Sequence, residues 1–148
     1  MIIAVDFDGT IVEHKYPEIG DERSYATEVL RMLIRDRHKL ILWTVREGQL
    51  LQDAIDWCAK RGVEFYAVNS DSSDWFNEVK NHNFSCKLNA DMFIDDCNIG
   101  GLPTWPEIYK IISEGKTFEQ IIRSKVRTEM NVVEPPYPKW MFWKHKKH

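Results

Sequence analysis

Hydrophobic and polar positions along the chain alternate between two periods. Ile2, Ile3, Ala4 and Val5 form an apolar, mostly β-branched run that stops at Asp6, as expected of a strand covered on both faces. From Ala26 the apolar residues recur at Val29, Leu30, Leu33 and Ile34, a helical stripe for which Ser24 or Asp21 is the expected cap. Leu40 to Trp43 reads as a second buried strand ending at Thr44. Leu50, Leu51, Ala54, Ile55 and Cys58 restore helical spacing, and Gly62 stands where a left-handed C-terminal cap is wanted. Val63 to Val68 predicts a third strand, and Asp91 to Ile94 a fourth that runs into Asp95 and Asp96. Between them Asn69 to Phe84 is polar and follows neither period. A helix is predicted from Trp105 or Pro106 through Ile108, Ile111 and Ile112 to Gly115. Thr117, with Gln120 three residues on, has the form of a capping box for another.

Strands alternating with helices at this spacing predict an α/β fold: a Rossmann-like three-layer sandwich with a mostly parallel central sheet. With 148 residues, 43% of them hydrophobic, the chain can enclose one full core. A formal net charge of -3 provides no global basic field for nucleic acid or anionic lipid. Cys58, Cys86 and Cys97 are odd in number and widely spaced, which argues against a disulfide framework or zinc ribbon and for a reducing, cytoplasmic setting. No signal-like segment and no apolar run of about 18 residues is seen, so neither export nor a membrane span is expected. The main domain is expected over residues 1–128. The Pro-rich, aromatic and basic stretch 129–148 is expected to be a tail, packed on its own domain or unstructured, or else a docking arm for a partner.

Ligands of open parallel sheets bind outside the carboxyl ends of the strands. Polar residues gather at three such ends: Asp6 and Asp8 after the first strand, Thr44 and Arg46 after the second, Asp95 and Asp96 after the fourth. Carboxylates brought to one rim repel each other, by about 4 kcal/mol for a pair at ~4 Å and an effective dielectric near 20. A hard cation among them is the expected remedy, Mg²⁺ before Ca²⁺, since no His or Cys cluster accompanies the acids. Such a cation, with lysine and hydroxyl donors, would let a carboxylate approach a phosphate ester. Asp6 would then attack phosphorus to form an aspartyl phosphate. Asp8 would protonate the leaving oxygen and later take a proton from the hydrolytic water.

These residues resemble the haloacid dehalogenase superfamily of phosphatases. Its first motif, DxDGT after apolar residues, stands as Asp6-Phe7-Asp8-Gly9-Thr10; its second, a Thr or Ser ending the next strand, as Thr44. Its lysine motif matches Lys87, and its acidic pair after an apolar strand matches Asp95-Asp96. The resemblance covers about Met1 to Ile122. It implies Asp6 as nucleophile, Asp8 as acid/base, and Mg²⁺ held by the Asp6 carboxylate, the Asp8 backbone carbonyl and an acid of the last motif, with Asp96 the direct ligand and Asp95 its neighbour, or the two exchanged. It implies phosphate binding by Thr44 and Lys87. The stretch from Thr10 to Thr44 holds only a short flap and one helix, so no cap domain is expected.

Several positions keep two expectations. Arg46 either binds substrate phosphate or pairs with Glu47 or another acid. His14 is a surface residue of the flap before it is a substrate contact, Trp43 and Trp57 are core residues, and Cys97 is a small buried filler. The substrate is expected to be a small phosphorylated metabolite or nucleotide, with a phosphorylated polynucleotide end as the alternative. An open site could also be closed by a homo-oligomer neighbour. A different class remains: a non-catalytic phosphate- or metal-binding module that recruits a partner through its tail.

Overall fold

The structure is a computed structural model that describes residues 1–70 and 87–129. Met1–Tyr109 forms one compact unit and a second begins at Lys110. The described strands are β1 (Ile2–Val5), β2 (Lys39–Leu42), β3 (Ala67–Val68) and β4 (Met92–Ile94), and the helices α1 (Ala26–Arg35), α2 (Gly48–Ala59), α3 (Trp105–Glu114) and α4 (Phe118–Glu129).

The strands form one sheet in the order β3-β2-β1-β4. All pairings are parallel, and the register aligns Val5 with Leu42 and with Ile94, and Leu42 with Val68. This is a small α/β fold with a four-stranded parallel sheet. The chain passes outward from β1 through α1 to β2 and through α2 to β3, by parallel connections of the kind that are right-handed in nearly all proteins. β4 then pairs on the other side of β1, so the strand order reverses between β1 and β4. One sheet face buries Ala4, Ile41 and Ala67 under Leu88, with Ile2, Trp43 and Ala90 packed alongside. The alternate residues Ile3, Val5, Leu40, Leu42 and Ile94 are buried as well. This two-sided burial explains why β1 and β2 read as unbroken apolar runs. β4 departs from it, because Phe93 is 40% exposed.

Three expectations are corrected in detail. β2 begins at Lys39 and ends before Trp43, whose N–H still donates to Val5 O at 2.8 Å. β3 is two residues long rather than six, because Val63 is drawn into the end of α2: its N–H donates to Cys58 O at 3.0 Å, and Gly62 (φ 75) donates to Ala59 O at 2.9 Å. That pairing is the Schellman closure, with Gly62 in the left-handed position expected of it. Neither Ser24 nor Asp21 caps α1. Tyr25 occupies the cap position with φ 69, and the Glu22 carboxylate accepts from the Thr27 N–H (3.0 Å) and hydroxyl (2.6 Å). The antiparallel bridge between Val12 and Glu22 fixes that carboxylate in sequence register with the helix start.

The α3 start at Trp105 and the capping box of α4 are as expected. Thr117 N–H donates to Gln120 Oε1 at 2.9 Å, and Gln120 N–H donates to Thr117 Oγ1 at 3.3 Å. Residues 71–86, which hold most of the unassigned polar stretch, and 130–148, which hold the tail, lie outside the described residues. Among the described residues no helix is long and apolar enough to cross a membrane.

Candidate active site

The chain leaves β1 into a turn that closes on itself. Phe7 O accepts from Thr10, Ile11 and Val12 N–H at 3.4, 3.0 and 3.1 Å, and Gly9 N–H donates to Val12 O at 2.8 Å. Phe7, Thr10 and Ile11 are fully buried, so the turn is a fixed part of the core and presents Asp6 and Asp8 from a rigid base. Gly9 carries φ 89, and a Cβ there would overlap the Asp96 carboxylate. A glycine at this point satisfies both the backbone angle and the close approach of the two loops.

β4 delivers its acids to the same place. Asp6 N–H donates to Ile94 O at 3.0 Å, which sets Asp6 beside the exit of β4. Thr10 couples the loops: its hydroxyl accepts from Asp96 N–H at 3.0 Å and hydrogen-bonds the Asp6 carboxylate. Trp105 Nε1 donates to Thr10 O at 3.2 Å from α3. Burial pushes the Asp6 carboxyl from its ordinary 3.8 up to about 6, against the lowering effect of hydrogen bonds from Thr10 and Phe7, with repulsion from Asp95 and Asp96 adding to the rise. Asp95, Asp96 and Cys97 present ligand atoms within 4.8 Å of one another.

Cys97 is exposed rather than a buried filler. Asp95 Oδ1 accepts from its N–H at 2.7 Å, turning the chain outward there. The charge on Asp96 and a hydrogen bond to it push the thiol up, and Asp95 adds to the effect. The Asp95 and Asp96 carboxylates beside it are oxygen donors. An all-oxygen set in which carboxylates repel one another suits a hard divalent cation.

Asp8 has a buried partner of its own. It is 8% exposed, Arg46 is wholly buried, and the two meet in a bidentate pair, with Nε to Oδ2 and Nη2 to Oδ1 both 2.7 Å. Arg46 thus takes the second of its two expected roles, and its acid is Asp8 rather than Glu47. The Asp8 carboxylate holds the guanidinium still more firmly in its charged form. Nη1 also donates to Pro17 O (3.0 Å) and Nη2 to Glu18 O (2.8 Å), while the guanidinium carbon lies 5.2 Å from the Phe7 ring centre and 5.3 Å from that of Tyr16. The loop containing Pro17 and Glu18 is pinched at its base where Glu13 N–H donates to Asp21 O at 2.8 Å. His14 lies exposed in it.

Thr44 is clamped by Asn69, the first residue after β3. Thr44 N–H donates to Asn69 Oδ1 at 2.8 Å, and Asn69 Nδ2 donates to Thr44 O at 2.9 Å. Asn69 holds φ 51 to do so, an angle that Asn tolerates better than most residues. The Thr44 hydroxyl accepts from Arg46 N–H at 3.2 Å. Lys87 is exposed and adjoins Leu88, which packs against Ala4, Ile41 and Ala67. Trp57 is partly buried, its ring edge-on to Phe7 with centroids 5.8 Å apart and 3.6 Å from the Arg61 guanidinium carbon.

Two contributors escaped the sequence reading. Thr10 belonged to the recognised DGT signature without a role of its own, and Asn69 stood at the head of an unassigned stretch. The signal available for each was positional: a hydroxyl closing the β1 turn and an amide directly after a strand.

The molecule is thus a small parallel-sheet α/β protein whose acidic groups meet at the strand-order reversal. No protein-family model matches the chain, and no curated protein matches it. Among solved structures it is similar to one described as the conserved protein coded by a locus from Bacteroides thetaiotaomicron, at 56% sequence identity over 82% of this chain and 96% of that one, with a TM-score of 0.76. The chain belongs to the same family as that conserved Bacteroides protein.

Proposed function

We propose that the protein is a Mg²⁺-dependent phosphomonoester hydrolase of the haloacid dehalogenase type, acting in the cytoplasm on a small phosphorylated metabolite or nucleotide. Its fold would then be the three-layer, capless version of that superfamily. The observation that carries the proposal is the meeting of Asp6 with Asp95 and Asp96 across neighbouring strand ends, with Thr10 tying the loops and the Asp6 carboxyl pushed up to about 6. Burial is the chief cause of that rise and repulsion from Asp95 and Asp96 adds to it, and a cation bound among the three carboxylates would oppose both. Asp6, the Asp8 carbonyl and Asp96, with Asp95 beside it, would hold Mg²⁺, which supplies charge neutralisation for the incoming phosphate.

In this mechanism an Asp6 carboxylate oxygen attacks phosphorus, and the bond from phosphorus to the leaving oxygen breaks as Asp8 delivers a proton to that oxygen. Asp8 then takes a proton from the water that cleaves the aspartyl phosphate, returning Asp6 as a carboxylate and releasing inorganic phosphate. Thr44 and Lys87 supply donors to the phosphoryl oxygens. The test is phosphate release from p-nitrophenyl phosphate with Mg²⁺. Activity lost in EDTA and in Asp6→Asn supports the assignment; full activity in Asp6→Asn refutes it.

A further inference from the structure

We infer that Arg46 is the positioning residue for Asp8, holding the acid/base carboxylate at a fixed angle and tying it to the Glu13–Asp21 loop through a single guanidinium. The inference rests on the hydrolase reading above and assigns Arg46 a task within it other than phosphate binding. Three observations carry it. The pair is bidentate with both bonds at 2.7 Å, an arrangement that fixes a carboxylate in plane as well as in place. Arg46 is wholly buried, and four of its N–H groups are engaged: one on Nε, one on Nη1 and two on Nη2. About five are available, so little of the guanidinium remains for a substrate anion. The two acceptors besides Asp8 are the backbone carbonyls of Pro17 and Glu18, so loop and carboxylate share one anchor.

The pairing leaves Asp8 able to act. A carboxylate offers about four lone-pair sites, and the two N–H bonds fill two of them. The others can carry a proton to the leaving oxygen or accept one from water. What Arg46 removes is rotation of the carboxylate, and proton transfer depends on that angle as strongly as on distance. Three of the four donor bonds would be hard for lysine to reproduce, because an ammonium is a point charge rather than a planar fork.

Leaving-group dependence separates this role from a structural one. p-Nitrophenolate departs without protonation, whereas a simple alkoxide needs the acid. The ratio kcat/KM reports every step through departure of the leaving group, before the hydrolytic step common to both substrates. For Arg46→Met the expected result is a loss of kcat/KM on an alkyl phosphate about 10²-fold greater than on p-nitrophenyl phosphate, the same selectivity as in Asp8→Asn. Arg46→Lys should show the same selectivity at smaller size, and it serves as the deciding variant if Arg46→Met does not fold by circular dichroism. Equal losses on both substrates in a folded variant overturn the inference and leave the hydrolase assignment standing. Absence of turnover in the unmodified protein, or its persistence in Asp6→Asn, overturns the hydrolase assignment and the inference with it.

Discussion

Replacing Asp6 by Asn should make the protein more stable at pH 8 while removing the proposed phosphatase activity. Asp6 binds its proton more tightly when folded than when unfolded, since burial and the neighbouring acids lift its carboxyl from 3.8 to about 6. The folded state therefore holds more protons than the unfolded state between these values, and stability from this group falls as pH rises through the window. Below the unfolded value the penalty is absent; above pH 6 it is fully present. At about 1.4 kcal/mol per pH unit the penalty is ~3 kcal/mol, and partial solvent access brings it to about 1–2 kcal/mol. Asn has nearly the same shape and no charge, so it removes the penalty. Urea unfolding of both proteins at pH near 4.5 and near 8 gives the difference between their pH slopes, in which all other titrating groups cancel. Saturation with Mg²⁺ at about 100 times its Kd should add ~2.7 kcal/mol to the unmodified protein and much less to Asp6→Asn. An Asp6→Asn protein equal to or less stable than the original at pH 8, with parallel pH slopes, would refute the claim that burial and the neighbouring acids raise the Asp6 carboxyl.

Three further outcomes follow from the same geometry. Thr10→Val leaves the Asp96 N–H unpaired and takes a hydrogen bond from Asp6; a loss of about 1–3 kcal/mol in chemical denaturation is expected, with weaker Mg²⁺ binding by calorimetry. Gly9→Ala meets both φ 89 and the Asp96 carboxylate, and should cost about 1–2 kcal/mol and most of the activity, so a fully active, equally stable Gly9→Ala protein would contradict the close loop contact. Arg46→Met strands Asp8 in a buried setting and should lower stability by about 3–5 kcal/mol in urea unfolding; a change below ~1 kcal/mol would mean that the pair is not formed in solution.

The parts of the fold that were legible in the sequence are those with a single dominant cause. β1 and the buried stripe of α1 follow from apolar patterning alone, and Gly62 from the angle its position demands. β3 was overestimated because Val63 is apolar for a different reason, its burial at the end of α2. The α1 cap was missed because Glu22 reaches it only through the bridge to Val12, a contact that no local rule encodes. The acids of the site were visible as strand-end residues, since parallel strands bring their carboxyl ends to one edge by topology. The partnership of Arg46 with Asp8 was not, because the two lie 38 positions apart in sequence, which gives no means to choose among nearby acids. Cys97 was misjudged for a similar reason: the turn made by Asp95 swings it to the surface.

The central claim is that Asp6 itself accepts the phosphoryl group. Acid quenching during Mg²⁺-supported turnover of p-nitrophenyl phosphate, followed by reductive trapping and peptide mass spectrometry, should recover phosphate-dependent modification on the peptide carrying Asp6 and none in Asp6→Asn. Turnover with that peptide unmodified, or modification at another residue that persists in Asp6→Asn, would contradict it.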